Sequence, residues 1–248
     1  MITRHHIVLS LLGALIVCSS FIFSSPVSVL FICAGSVIGA IIPDIHMSRP
    51  KRSVLLVPAW VIVQIPRRFC MSVLCRIYAI TGYPIEDPAG KRLTHSLPGI
   101  LFIGVCAYLA LSLPIFLAPP VIAGDAALFL CGMFLGMGMH LAQDICTRKG
   151  ICLLFPFHRN KMAGSIRPCD FDDPRIAWFH IQHAMVLLLI FAVDTSGILP
   201  SFLLVPVSVA GLVLAVGVMI GFSDVTFLEE HGTPGWAMAA PSQSPGRL

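Results

Sequence analysis

The 248-residue chain has little charge: 11% of its residues are Asp, Glu, Lys or Arg, against roughly a quarter in soluble domains. Apolar residues make up 57%, and the mean hydropathy is +0.91. This excludes an ordinary water-soluble domain and points to a bilayer. The net charge of +4 is modest and argues against a nucleic-acid partner. Of the nine cysteines, none forms a C-x-x-C pair, and both the odd count and the irregular spacing exclude a disulfide framework. A reducing, cytoplasm-facing setting follows. Several catalytic signatures are also missing: there is no G-x-S-x-G elbow, Walker loop, H-E-x-x-H pair or dinucleotide fingerprint.

What is present is a series of apolar runs. Six qualify, or nearly so, as bilayer spans: Ile7 to Phe23, Val27 to Pro43, Leu97 to Ala118, Val121 to Gln143, Ala177 to Val193 and Leu199 to Phe222. "SSP", "APP" and "DTSGILP" separate the members of each pair. The 16 basic residues avoid those three turns; eight lie between Arg49 and Arg92 and six between Arg148 and Arg175. The positive-inside bias then gives a multi-pass membrane protein with both termini in the cytoplasm. The first run is followed by "CSSFIFSSP", with no clear small-x-small cut site, so it reads as a retained span rather than a cleaved signal. The expected fold is an all-α, polytopic membrane helical bundle of about six transmembrane helices, one domain over residues 1–230. A Pro/Ser/Gly-rich tail, 231–248, is expected to be disordered.

An interfacial or re-entrant segment is expected after the second span. Val54 to Ile65 is too short to cross and is broken by Pro58. In the following stretch Phe69, Val73, Leu74, Ile77 and Tyr78 share one helical face and Arg68, Ser72 and Arg76 another. A seventh span here would bury Arg67 and Arg68, at several kcal/mol each.

His and Asp residues gather at one end of the spans. His5 and His6 precede the first, Asp44 and His46 follow the second, His95 precedes the third, and His140 and Asp144 end the fourth. His180 and His183 lie near the start of the fifth. Imidazole and carboxylate are the ordinary ligands of Zn²⁺, Mn²⁺ and Fe²⁺. His140 and Asp144, four residues apart, project from one helical face. Gly132 and Gly136 continue that stripe, and Gly35 and Gly39 make a similar one in the second span. Small-residue stripes let membrane helices approach closely, which would carry Asp44 and Asp144 to one point. Asp44 and His46, only two apart just past a helix end, can converge if Pro43 breaks the helix and the chain turns back. Each group also has a plainer reading: His5, His6, His180 and His183 as interface residues, Asp144 as a helix-end residue, and Thr94 or Ser96 as a cap of the third span. Lys91 and Arg92, beside His95, are candidates for binding an anion such as phosphate, as are Arg148 and Lys149; the alternative for all four is positive-inside bias alone.

Three stretches, "GSVIGAIIPDIHMS", "KRLTHSLPG" and "GMGMHLAQDICTRKGICLLFPF", resemble in that order the signatures of the YdjM-like family, inner-membrane proteins described as LexA-regulated, metal-dependent hydrolases. The resemblance covers residues 1 to about 160. The third stretch is the most specific, matching at Gly136, His140, Asp144, Thr147, Gly150, Leu153, Pro156 and Phe157. "TRHH" loosely matches the family's N-terminal Thr-His pair, with His5 or His6 in that role. The chain departs from the pattern in two places. The family's second Asp is missing after Pro43-Asp44, where His46 either stands at that position or is the motif's His displaced by a deletion, and Gly90-Lys91-Arg92 replaces His-Arg-Gly.

The expected function is a metal-dependent hydrolase with a divalent ion, Zn²⁺ or Mn²⁺ first, at the cytoplasmic face. The expected ligands are His6, Asp44, His46, His95, His140 and Asp144, and the expected catalytic residues are His95 and Asp144. A lipid or lipid-linked phosphoester is the expected substrate. The alternative is a non-enzyme, either a transporter or a structural protein whose metal clamps helices. The near absence of polar residues at mid-span counts against transport.

Overall fold

The computed structural model describes residues 3–22, 24–46, 68–69, 72–80, 91–116, 120–158, 160–167 and 173–228. Eight helices run in chain order: α1 (Thr3–Cys18), α2 (Pro26–Ile41), α3 (72–80), α4 (Lys91–Thr94), α5 (Leu97–Phe116), α6 (Pro120–Ile145), α7 (Pro174–Ser196) and α8 (Ser201–Gly221). The expected all-α bundle is what the chain forms. Two three-residue strands, β1 (Lys161–Ala163) and β2 (Thr226–Leu228), pair antiparallel and join the segment after α6 to the segment after α8.

Among the described residues, five helical segments are long and apolar enough to cross a bilayer: Arg4–Phe21, Pro26–Asp44, Ala123–Ile145, Pro174–Ser196 and Ser201–Gly221. The expected third span falls in α5, whose apolar stretch among the described residues, Leu97–Ser112, is shorter. The segment Val54 to Ile65 and the tail 231–248 lie outside the described residues. In α3 the expected single apolar face is split. Leu74 and Tyr78 are buried with Ile100, Ile103 and Met137, whereas Phe69, just before it, and Ile77 and Ile80 point outward.

The bundle is built around α2 and α6. A Cβ on Gly35 would collide with the Phe129 carbonyl oxygen, and one on Gly39 with that of Met133. In return, a Cβ on Gly132 would strike the Ile32 carbonyl oxygen and one on Gly136 that of Ser36. The two glycine stripes therefore face each other backbone to backbone. Helix α1 packs on both α2 and α6, α5 packs on α6, and α7 and α8 lie against α1. Leu9, Ile16, Met139, Phe179 and Met219 fill the space among α1, α6, α7 and α8.

Local chemistry sets the helix ends. Ser96 caps α5: its hydroxyl accepts from Gly99 N–H at 3.1 Å and donates to the Leu93 carbonyl at 2.9 Å. Asp173 caps α7, accepting from Arg175 N–H at 3.1 Å, with Pro174 in the first turn and Gly197 closing the helix at φ 65°. The Arg175 guanidinium also holds the Asp173 carboxyl below the usual carboxylate range.

Candidate metal centre

Four places at the ends of helices bring the candidate residues together. Helix α2 does not break and reverse at Pro43, the route that the sequence left open. It tightens into a 3-10 turn over Ile42–His46, so Asp44 stays close to the α2 axis and is buried against α6. The His46 side chain lies outside the described residues. Helix α6 supplies His140 and Asp144 from consecutive turns of one face. His95 sits between the short α4 and the Ser96 cap of α5. From α1, His6 is fully buried, while His5 is only half-buried and lies 5.3 Å from the His180 ring.

The side-chain ends converge closely. His95 Nε2 lies 3.3 Å from Asp44 Oδ1, 3.3 Å from His140 Nε2 and 3.4 Å from Asp144 Oδ2. His140 Nε2 is 3.6 Å from Asp144 Oδ2 and 3.9 Å from Asp44 Oδ1. Bonds of roughly 2.1 Å from a tetrahedral metal to N and O ligands imply ligand-to-ligand edges of about 3.4 Å. The five distances fall near that value, and two sets of donors each lie within 4.8 Å of one another, His95, His140 and Asp144 in one and His6, Asp44 and His140 in the other, so each set fits a divalent ion by chemistry and by size.

The orientation of the rings is also determined. His140 Nδ1 is 2.7 Å from the Ala40 carbonyl oxygen. A carbonyl only accepts, so Nδ1 carries a proton, and Nε2 is the ring nitrogen turned to the cluster. The His6 ring stacks on His140 at 3.9 Å between centroids and 13° between planes. His6 Nε2 faces the other Asp144 oxygen, Oδ1, at 3.4 Å. Thr94 Oγ1 hydrogen-bonds His95 Nδ1 at 3.1 Å.

The loop after α6 holds this arrangement in place. Thr147 Oγ1 donates to the Asp144 carbonyl at 2.8 Å and accepts from Gly150 N–H at 3.2 Å, which ends α6 just past the cluster. Gly150 has φ 55°, and a Cβ there would meet the Met162 carbonyl oxygen. The Leu153 carbonyl accepts from Leu97 N–H at 2.7 Å, tying the loop to the start of α5 and so to His95. Thr147 and Gly150 thus have structural reasons for their places in the motif.

Other candidates stand apart. The Lys91 side chain lies outside the described residues. Arg92 is exposed and lines a cavity of about 260 Å³ together with His95, Lys149 and Lys161. Sequence reasoning missed Lys161, which is distant in the chain and belongs to no motif. It also missed the Ala40 carbonyl, because a backbone acceptor leaves no trace in residue type. His180 and His183 donate from Nδ1 to carbonyls of their own helix, those of Ile176 and Phe179.

The profile of the YdjM inner membrane protein family matches residues 1–222. The chain belongs to this family of inner membrane proteins. No curated protein and no solved structure matches it.

Proposed function

We propose that this chain is a metal-dependent hydrolase acting at the cytoplasmic face of the inner membrane on a phosphoester carried by a membrane-resident molecule. The observation that carries this reading is the convergence of His95, His140 and Asp144, with Asp44 close to both imidazoles, beside a cavity that reaches His95. These four residues would hold the ion, Zn²⁺ or Mn²⁺ by donor type. A divalent metal so held supplies Lewis acidity toward a phosphoryl oxygen and a water acidified toward neutral pH.

The chain's own residues do the rest. The Ala40 carbonyl and Thr94 hydroxyl hold the two imidazoles with Nε2 inward. Asp144, with one oxygen in the donor set and the other facing His6, is placed to take a proton and pass it to that ring. The basic residues at Arg92, Arg148 and Lys149 support a cytoplasmic position for this end of the bundle, with both termini on the same side. The burial of every ligand favours the alternative of a metal that only clamps helices, but the cavity reaching His95 favours an open, reactive site.

The test is phosphate release from phosphatidic acid by purified protein supplied with Mn²⁺ or Zn²⁺. Turnover by the wild type, reduced at least about a hundredfold in Asp144→Asn, is expected. Equal turnover by the two proteins, or none by a metal-loaded wild type, would overturn the proposal.

A further inference from the structure

Helices α7 and α8 enclose a groove of about 650 Å³ on the outside of the bundle. Buried Phe179 lies at its base, and Trp178, Met185 and Leu189 from α7 and Phe222 from α8 stand exposed along it. Farther along the pair the space is filled: a Cβ on Gly211 would come within 2.9 Å of Ile190 and 3.2 Å of Val186. The polar lining is small and already engaged. The Arg175 guanidinium, at the other end, donates to Asp173 Oδ2 at 2.8 Å and to Ser165 Oγ at 2.6 Å. Gln182 Nε2 donates to the Ala215 carbonyl at 3.0 Å, which turns its amide toward α8. Beyond Arg175 the groove therefore presents mainly hydrocarbon.

Both helices have the length and hydropathy of membrane spans, so the groove opens sideways toward lipid tails rather than water. The His180 ring of α7 lies 5.3 Å from that of His5, the neighbour of His6 in the cluster, so Arg175 marks the metal-centre side of the membrane. From Arg175 to Leu189 helix α7 rises about 21 Å. One leaflet with its headgroup layer is about 20–22 Å deep. Arg175 and Trp178 are of the types that settle at headgroup level, and the apolar lining follows them into the leaflet. The volume falls within the roughly 300–1,000 Å³ of small-molecule sites, which suits a chain of lipid dimensions better than a ridge of protein.

We infer that the α7–α8 groove is a lipid site, holding one acyl chain of a glycerophospholipid from the leaflet on the metal-centre side, with the headgroup beside Arg175 and Trp178. Because Asp173 already balances Arg175, the site holds the chain and does not select the charge of the headgroup. The inference is independent of the metal reading.

The test uses full-length protein in detergent. Of the tryptophans Trp60, Trp178 and Trp236, a Trp60→Phe/Trp236→Phe background keeps Trp178 alone as the probe. Phosphatidylglycerol with a brominated acyl chain is titrated in while Trp178 fluorescence is read. Quenching that saturates at equimolar lipid is expected. Val218→Phe, which fills the groove, is expected to bind about tenfold more weakly, the effect of excluding roughly two methylene groups. Val213→Phe, on the exposed face of α8 and not part of the lining, is expected to bind as the background does. Unbrominated long-chain phosphatidylglycerol and phosphatidylethanolamine should compete equally, and dihexanoyl phosphatidylglycerol far less. Metal content, measured in parallel, is expected to be the same in every variant, so failure of the lipid site leaves the metal reading standing. Quenching that rises without saturation, equal quenching in Val218→Phe and the background, or a dimer in which Trp178 is shielded from the lipid would overturn the inference. Competition by phosphatidylglycerol but not by phosphatidylethanolamine would overturn it too, since the headgroup rather than the chain would then be held.

Discussion

Helices α6 and α7 are both long, apolar and histidine-bearing, but they are used differently. Within the protein, 44% of the α6 span is buried and 22% of the α7 span. Helix α6 meets α2 through glycines, backbone on backbone, and turns His140 and Asp144 inward. Helix α7 meets its neighbours through larger side chains and leaves Trp178, Met185, Leu188 and Leu189 facing outward. His140 and His183 make the contrast sharpest. Both are fully buried, and both donate from Nδ1 to a carbonyl. The carbonyl bonded by His140 belongs to a different helix, and its Nε2 faces two carboxylates and a second imidazole. The carbonyl bonded by His183 is on its own helix, and its Nε2 has no hydrogen-bond partner among the described residues. Hydrophobicity alone is enough to build α7 and α8. A site of fixed geometry needed helices held close enough to share ligands.

The largest expected effect tests that close approach. Gly136→Val would drive a branched side chain into the Ser36 carbonyl, at about 3 kcal/mol, the upper end of the overpacking range. Gly217→Val on α8, where nothing lies within 4 Å, is expected to change stability by no more than about 0.5 kcal/mol. Thermal unfolding in detergent checks the pair; similar losses at both positions would show that α2 and α6 are no more tightly joined than α8 is to its surroundings.

The smaller expected effect concerns orientation. Thr94→Val removes the hydroxyl bonded to His95 Nδ1 and is expected to weaken metal affinity by about 10–100-fold without unfolding the protein. Thr195→Val, on the exposed end of α7, removes only a hydroxyl bonded to its own helix and is expected to have no effect. Competition with a fluorescent chelator measures both.

The α2–α6 pairing was readable in the sequence because glycine at four-residue spacing has few other uses in an apolar helix. The gathering of His and Asp at one level was readable because charge and hydropathy placed the helix ends. The choice of His6 over His5 was not, since adjacent residues on a helix differ by about 100° in direction and only the packing of α1 decides which one turns inward. The effect of Pro43 was open in the sequence for a related reason. A proline at the end of a span is compatible with either a reversal or a 3-10 tightening, and packing against α6 favours the second. Lys161 was hidden because nothing local signals that β1 returns to the turn after α6.

The account's central claim is that the four converging residues hold a metal. The most direct test is the metal content, by mass spectrometry, of protein purified without chelator as wild type, His140→Ala and His183→Ala. The wild type and His183→Ala are expected to carry a divalent transition metal in similar amounts, and His140→Ala at least about tenfold less. Equal metal in all three proteins would contradict the claim.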